Sequence, residues 1–202
     1  MFALPLSPDA ELRRLEVWHA AEFAEHMERA RTHIRPWVGP AFVTDTVDDA
    51  RAVIERYAKA AAADGARLFG IWMNEQLVGG VMFVTFSTAS GTCEMGCWLE
   101  PSAEGQGLVT TACHRLLEWA FAKRGLHRVE WRCRTDNERS VAMAKRLGMT
   151  LEGVAREAWP NGGIRHDKQM WAILAPEWAA AQVPADPGHR KLPPCSPERP
   201  AQ

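Results

Sequence analysis

The 202-residue sequence has a single tyrosine, and its charges nearly cancel: 24 Lys and Arg against 25 Asp and Glu leave a formal net charge of −1 at pH 7. A chain without a basic surplus has no electrostatic footprint for a polyphosphate, which excludes nucleic-acid binding as the main activity. No apolar run approaches the ~20 residues that a spanning helix needs, so no membrane partner is expected. The opening Met1-Phe-Ala-Leu-Pro-Leu-Ser-Pro8 lacks the basic n-region of a secretory signal, and the expected location is cytoplasmic. Cysteine is sparse and odd in number: Cys93, Cys97, Cys113, Cys133 and Cys195 show no paired close spacing, so neither a metal nor a disulfide is assigned.

Tryptophan, by contrast, is plentiful, with nine residues against seven phenylalanines. An indole buries a large area and carries one donor, which suits cores, interfaces and binding clefts. Packing accounts for most of the nine, and a homodimer interface would suit any exposed ones as well as a cleft would.

Composition divides the chain into a domain over 1–180 and a tail over 181–202. The tail carries Pro184, Pro187, Pro193, Pro194, Pro197 and Pro200 among charged and small polar residues, too little apolar surface to offset ordering entropy, and reads as disordered. In the domain, a short strand at Ala10–Glu16 precedes a helix over Val17–Thr32. A second helix follows Thr46-Val-Asp-Asp49, a capping box with Asp in place of Glu, and ends at Asp64-Gly65. Leu68–Met73, Leu77–Phe86 and Cys93–Glu100 read as antiparallel strands on short turns. Val109, Ala112, Cys113, Leu116, Leu117 and Ala120 then recur at helical spacing, ahead of a strand at Leu126–Arg134, a short helix at Glu138–Leu147 and strands at Met149–Ala155 and Ile164–Leu174. Strand, loop, helix, strand implies a parallel crossover, so the fold class is α/β with a mixed central sheet of six to seven strands.

Glu104-Gly-Gln-Gly-Leu-Val-Thr110 joins a strand to the strongest helix. Free N–H groups and the positive end of a helix dipole make such a turn an anion site, although a plain tight turn has the same glycines. A dinucleotide fingerprint needs a third glycine where Thr110 stands, and a P-loop needs Gly-Lys-Ser/Thr, which is absent.

Together with this turn, Glu94-Met-Gly-Cys-Trp-Leu-Glu-Pro101, Arg134-Thr-Asp-Asn-Glu-Arg-Ser140 and Leu147-Gly-Met-Thr-Leu-Glu-Gly153 resemble the GNAT acetyltransferases, most closely their RimJ/RimL-like branch, over roughly residues 10–174. The resemblance implies acetyl-CoA held between two splayed parallel strands. It places the pantetheine along Trp98 and Leu99, and the pyrophosphate in the loop Gly105, Gln106, Gly107, Leu108, Val109 and Thr110. Glu104 and Val109 depart from the family pattern, and a carboxylate at 104 would repel pyrophosphate unless its side chain turns away.

Acetyl transfer to an amine requires a neutral nucleophile, a polarised carbonyl and protonation of the departing thiolate. Asn137 reads as the N-cap of the short helix, and Ser140 shares its inward face with Met143, Ala144 and Leu147. By resemblance Asn137 and Ser140 line the cofactor site and Ser140 reaches the CoA sulfur as acid or hydrogen-bond donor; the alternative is a buried hydroxyl. Glu94 alternates onto the face of Gly96 and Trp98, where a carboxylate can take the amine proton, or else pair structurally with an arginine. The resemblance implies Glu157 as a second candidate base and a backbone N–H near Leu99 as the carbonyl donor. By resemblance Arg35 and Trp37 sit in a loop over the acceptor groove, and Trp159, in a hairpin-type turn, is a further acceptor contact; the alternative for both segments is loop anchoring. The expected activity is transfer of an acetyl, or other acyl, group to the primary amine of a protein N-terminus or a small molecule. Its alternatives are a CoA-binding module without turnover and, further off, a nucleotide-dependent enzyme.

Overall fold

A computed structural model describes residues 3–39 and 42–182. Its centre is an eight-stranded sheet of order β1-β2-β3-β4-β5-β6-β8-β7, formed by β1 (Leu4–Ser7), β2 (Ala10–Arg14), β3 (Arg67–Met73), β4 (Gln76–Ser87), β5 (Thr92–Leu99), β6 (Arg128–Arg134), β7 (Thr150–Asn161) and β8 (Ile164–Leu174). The α/β class with a mixed sheet is as expected. The strand beyond the expected count is β1, whose Pro5 and Pro8 mask it in the sequence. It is an edge strand paired only with β2, where a missing N–H is tolerated.

The helices are α1 (Ala20–Ile34), preceded by a 3₁₀ turn at Val17–His19, then α2 (Val47–Ala62), α3 (Leu108–Glu118), α4 (Glu138–Arg146) and α5 (Ala175–Gln182). The capping box is present: Thr46 Oγ1 accepts from the Asp49 N–H at 3.1 Å, and Asp49 Oδ2 accepts from the Thr46 N–H at 3.1 Å. Its donor–acceptor exchange works with Asp because the shorter side chain still reaches back one turn. α3 continues into a π-helical turn at Trp119–Lys123. The expected tail lies outside the described residues, except that Ala181 and Gln182 complete α5.

Side-chain alternation in the strands builds two cores, one on each face of the sheet. Cys93 and Met95 of β5 and Val129, Trp131 and Cys133 of β6 are buried against α3 and α4, with Cys97 and Leu99 packed at the margin. On the other face Trp98, Met82, Leu68 and Trp72 pack against α1 and α2. Trp98 meets Phe42 and Phe23 edge-on, at centroid distances of 4.9 and 6.2 Å. Gly80 makes room for it: a Cβ there would lie 2.3 Å from the Trp98 ring and 2.2 Å from the Phe69 carbonyl. The free thiols Cys93, Cys97 and Cys113 lie in or against the first core, where burial pushes Cys93 and Cys97 up to about 12.

The expected crossover is present, but the parallel pairing of β5 with β6 runs only from Thr92↔Arg128 to Met95↔Trp131. Beyond it β5 continues along β4 to Gly79↔Leu99, while β6 continues along β8 to Arg134↔Lys168. The two strands therefore part after Met95, and the sheet has a gap in its middle.

Candidate active site

A cleft of about 1140 Å³ occupies this gap. On the α3 and α4 side it is bounded by the glycine turn. Gly105 and Gly107 have φ of +78° and +73°, in the left-handed region that glycine adopts without strain. Gly107 is the N-cap of α3 and supplies no side-chain cap. Among the described residues, no acceptor takes the backbone N–H groups from Gly105 to Thr110; the first donor of the helix to be satisfied is Thr111, at 2.9 Å from the Gly107 carbonyl. Unspent donors at the positive end of a helix fit an anionic diphosphate, which is the chemistry that CoA presents.

Leu108, Val109 and Thr110 line the cleft, whereas Gln106 is exposed and stands outside the lining. Glu104 neither faces the turn alone nor points freely to solvent: its Oε1 lies 2.9 Å from His33 Nε2 and 3.5 Å from Arg139. These contacts tie the end of α1 and the start of α4 to the mouth of the turn.

Asn137 caps α4 by accepting the Ser140 N–H at 3.1 Å. This holds Ser140 on the cleft wall, where its Oγ accepts a hydrogen bond from Trp131 Nε1 at 2.9 Å. The indole occupies one lone pair and leaves the hydroxyl proton to donate elsewhere, with the Cys133 thiol as its neighbour. Trp131, buried in the first core, has no signal in the sequence that would link it to the serine.

On β5, the Glu100 N–H donates to the Val78 carbonyl of β4 at 2.9 Å. Because N–H groups alternate between the two edges of a strand, those of Leu99 and Cys97 point to the opposite edge, from which β6 has departed. Leu99 thus offers a donor to the gap. Trp98 lines the cleft, while its indole N–H donates to His26 Nε2 at 2.9 Å.

His26 is fully buried and approaches Glu100 Oε2 through Nδ1 at 3.3 Å; Glu100 also accepts from Ser102 and Arg29. Since Trp98 donates to Nε2, the ring is neutral with its proton on Nδ1, and burial accordingly lowers its pKa. Sequence reasoning missed this network. Its one signal was the position of His26 one helical turn after Phe23, in the apolar stripe of α1.

Glu94 lies on the opposite side of the gap from Ser140, on the cleft wall shared with Tyr57, Met82 and Val84. Burial pushes its pKa up, against the opposing pull of Arg132, 3.6 Å away, and of Lys168. Glu94 thus contacts an arginine and also lines the cleft. Glu157 is exposed and outside the lining. It sits at φ +54° in the bulge where the β7–β8 register shifts between Ala155 and Trp159.

Trp37 and Trp159 both line the cleft, but Arg35 is exposed and does not. The reason is local. The Pro36 carbonyl accepts from Arg134 at 3.1 Å and from Asn161 at 3.0 Å, and the Arg134 guanidinium lies 4.8 Å over the Trp37 ring. Pro36 and Trp37 are thereby turned inward and Arg35 outward. The same contacts pin the β7–β8 hairpin across the end of the gap. Among the described residues, no group of three His, Cys, Asp or Glu side chains converges as a metal site, and no helix is long and apolar enough to cross a membrane.

A split mixed sheet with an amide-rich turn at the gap defines a CoA-dependent acyltransferase site. The family model described as "Acetyltransferase (GNAT) domain" matches residues 10–150, and the chain belongs to this family. It is 27% identical over 179 residues to "Putative ribosomal N-acetyltransferase YdaF" of Bacillus subtilis, covering 88% of this chain and 98% of that one. It is 30% identical to the ribosomal-protein-serine acetyltransferase of Escherichia coli, covering 67% of this chain and 75% of that one. A solved structure of RimL, a ribosomal L7/L12 α-N-protein acetyltransferase in complex with coenzyme A, superposes with a TM-score of 0.79 at 25% identity, covering 85% and 97% of the two chains. The protein is an acetyl-CoA-dependent N-acetyltransferase of the RimJ/RimL-like branch.

Proposed function

We propose that the protein acetylates the N-terminal amine of a protein or a small primary amine by direct attack, with both substrates bound at once. The observation that carries this reading is the passage of one cleft through the gap in the sheet, with Ser140 and the glycine turn on one face and Glu94 on the other. A thioester and an amine entering from opposite faces would meet in the gap without sharing a route. The names of the ribosomal-protein relatives support a protein N-terminus as acceptor.

In this mechanism the amide turn from Gly105 to Thr110 holds the diphosphate. The Leu99 N–H polarises the thioester carbonyl, where negative charge grows during attack. Glu94, with its pKa raised by burial, takes the proton from the attacking amine directly or through one water. Ser140 donates a hydrogen bond from its hydroxyl to the departing sulfur as the C–N bond forms and the C–S bond breaks; the CoA thiolate leaves or takes a proton from water, and Glu94 returns the amine's proton to solvent. Trp37 and Trp159 flank the acceptor.

The test is incubation of the purified protein with acetyl-CoA and a panel of N-terminal peptides and small amines, following thiol release and the mass of the product. The expected result is release that depends on the acceptor, with one acetyl group gained on its amine. Tight acetyl-CoA binding with no release for any acceptor would instead identify a binding module.

A further inference from the structure

The acceptor face of the cleft carries more positive charge than it neutralises. Arg132 is shared between Glu130 at 2.8 Å and Glu94 at 3.6 Å, and Arg134 is paired with Asp136. Arg139 and Arg146 line the cleft from α4, on the side of the glycine turn; on the acceptor side two further cations line it, and neither forms a salt bridge with any described residue. Lys168 of β8 stands with its Nζ 5.1 Å over the Trp159 ring, and Arg56 of α2 lies 5.5 Å over the ring of Tyr57.

The two cations belong to opposite banks of the gap. Tyr57 reaches across to β4, where its hydroxyl contacts Met82 Sδ at 3.2 Å, while Lys168 is on the strand beyond β6. An aromatic face beneath each charge restrains the long side chain without neutralising it, so less ordering is left to pay when an anion arrives. Glu94, the candidate base, lies between these banks and feels the charge of Lys168.

We infer that the acceptor carries an anionic group, a carboxylate, close to its reacting amine, and that Lys168 and Arg56 select for it. This rests on the acetyl-transfer reading and narrows its acceptor. The shared chemistry occurs in two sources: a free amino acid, whose carboxylate adjoins the amine, and a peptide with acidic residues just after its N-terminus.

Two matched pairs separate the sources: serine against serinamide, and a peptide beginning Ser-Asp-Glu against its Ser-Asn-Gln isostere. The readout is the ratio of kcat/KM for the acidic over the neutral member, which does not depend on the fraction of active protein. In one or both pairs the ratio should be about tenfold at low salt and shrink as ionic strength rises. Lys168→Gln and Arg56→Gln should each lower it, the double variant should bring it near one, and Lys168→Glu should take it below one. A ratio near one in the unmodified protein for both pairs, or a ratio that survives the double variant, overturns the inference and leaves acetyl transfer standing. Absence of thiol release with all four acceptors overturns the transfer reading, and this inference with it.

Discussion

The two faces of the cleft are built from different materials. On the α3 and α4 side the cleft offers backbone amides with no acceptor, on a turn with two left-handed glycines, and a serine fixed by its own helix cap. On the other side it is side chains from α1, α2, β5 and the β7–β8 hairpin, joined by contacts such as Asn161 and Arg134 to the Pro36 carbonyl. A backbone site recognises a constant group, here the diphosphate and thioester of CoA. A site assembled from distant side chains can vary without disturbing the first. Substitutions on the first face should therefore alter the rate with every acceptor alike, and those on the second should discriminate between acceptors.

The largest effect should come from Ser140. Ser140→Ala is expected to lower kcat by about 10²-fold or more, for acidic and neutral acceptors equally, with little change in acetyl-CoA affinity. Trp131→Phe removes the N–H that orients the hydroxyl and should lower kcat about tenfold; on the Ser140→Ala background the same change should do almost nothing further. Loss of rate in both backgrounds would mean that Trp131 acts only through packing. A Ser140→Ala loss that differs between acceptors would break the division of labour.

Glu94→Gln comes next, and its effect separates a base from a structural ion pair. The pKa of Glu94 is raised by burial, so its ionised form destabilises the folded chain once the pH rises above the ordinary glutamate value of 4.5. The glutamine variant should therefore be at least as heat-stable near neutral pH while turning over roughly 10- to 100-fold more slowly. It should also lose the acidic limb of the kcat/KM profile. A fall in Tm with an unaltered pH profile would mark Glu94 as the partner of Arg132 alone.

Much of the first face was legible in the sequence because its signals are local. Asn137 and Ser140 are three residues apart, and Gly105 and Gly107 share a single turn, so spacing alone carries the geometry. Spacing also placed the capping box at Thr46 and Asp49, and alternation put Cys93 and Met95 on the core face. The second face was legible only in fragments. Trp37 and Trp159 stood out as large residues in loops, but Arg35 looked equally suitable until the hydrogen bonds to Pro36 turned it outward. His26 and Glu100 meet across 74 positions, and Trp131 meets Ser140 across a strand-to-helix crossover, which no periodicity reports. Strand β1 escaped notice for a related reason: its pairing to β2 outweighs the poor strand propensity of Pro5.

His26 links the second face to stability. The unfolded chain protonates it near 6.5, while the folded chain resists protonation because Nε2 is committed to Trp98 and the ring is buried. Stability is therefore fully present above 6.5 and should fall as the pH drops below it, by up to about 1.4 kcal/mol per pH unit until the lowered folded value is reached. Asp64, Glu130, Asp136 and Glu152, all held low by arginines, lose their contribution only below about 4.5, outside the upper part of this window. His26→Gln should flatten the slope between pH 6.5 and 5 in urea unfolding. An unchanged slope would assign it to His19 and His114, which burial also lowers.

The smallest effect tests a place where the two faces are fastened together. Glu104 brings a negative charge to the mouth of an anion site, yet His33 from α1 and Arg139 from α4 hold it. Arg139 is thus engaged with a carboxylate beside the turn that would hold the CoA diphosphate. Glu104→Gln keeps a hydrogen-bond acceptor for His33 while releasing Arg139, and it should strengthen CoA binding by about threefold at low salt, the scale of one exposed charge pair. The gain should vanish at high salt, because the competing interactions are all solvent-screened. If calorimetric titration shows weaker binding instead, then the carboxylate orders the turn through α1 and α4, and the cofactor face depends on the acceptor face more than its backbone construction implies.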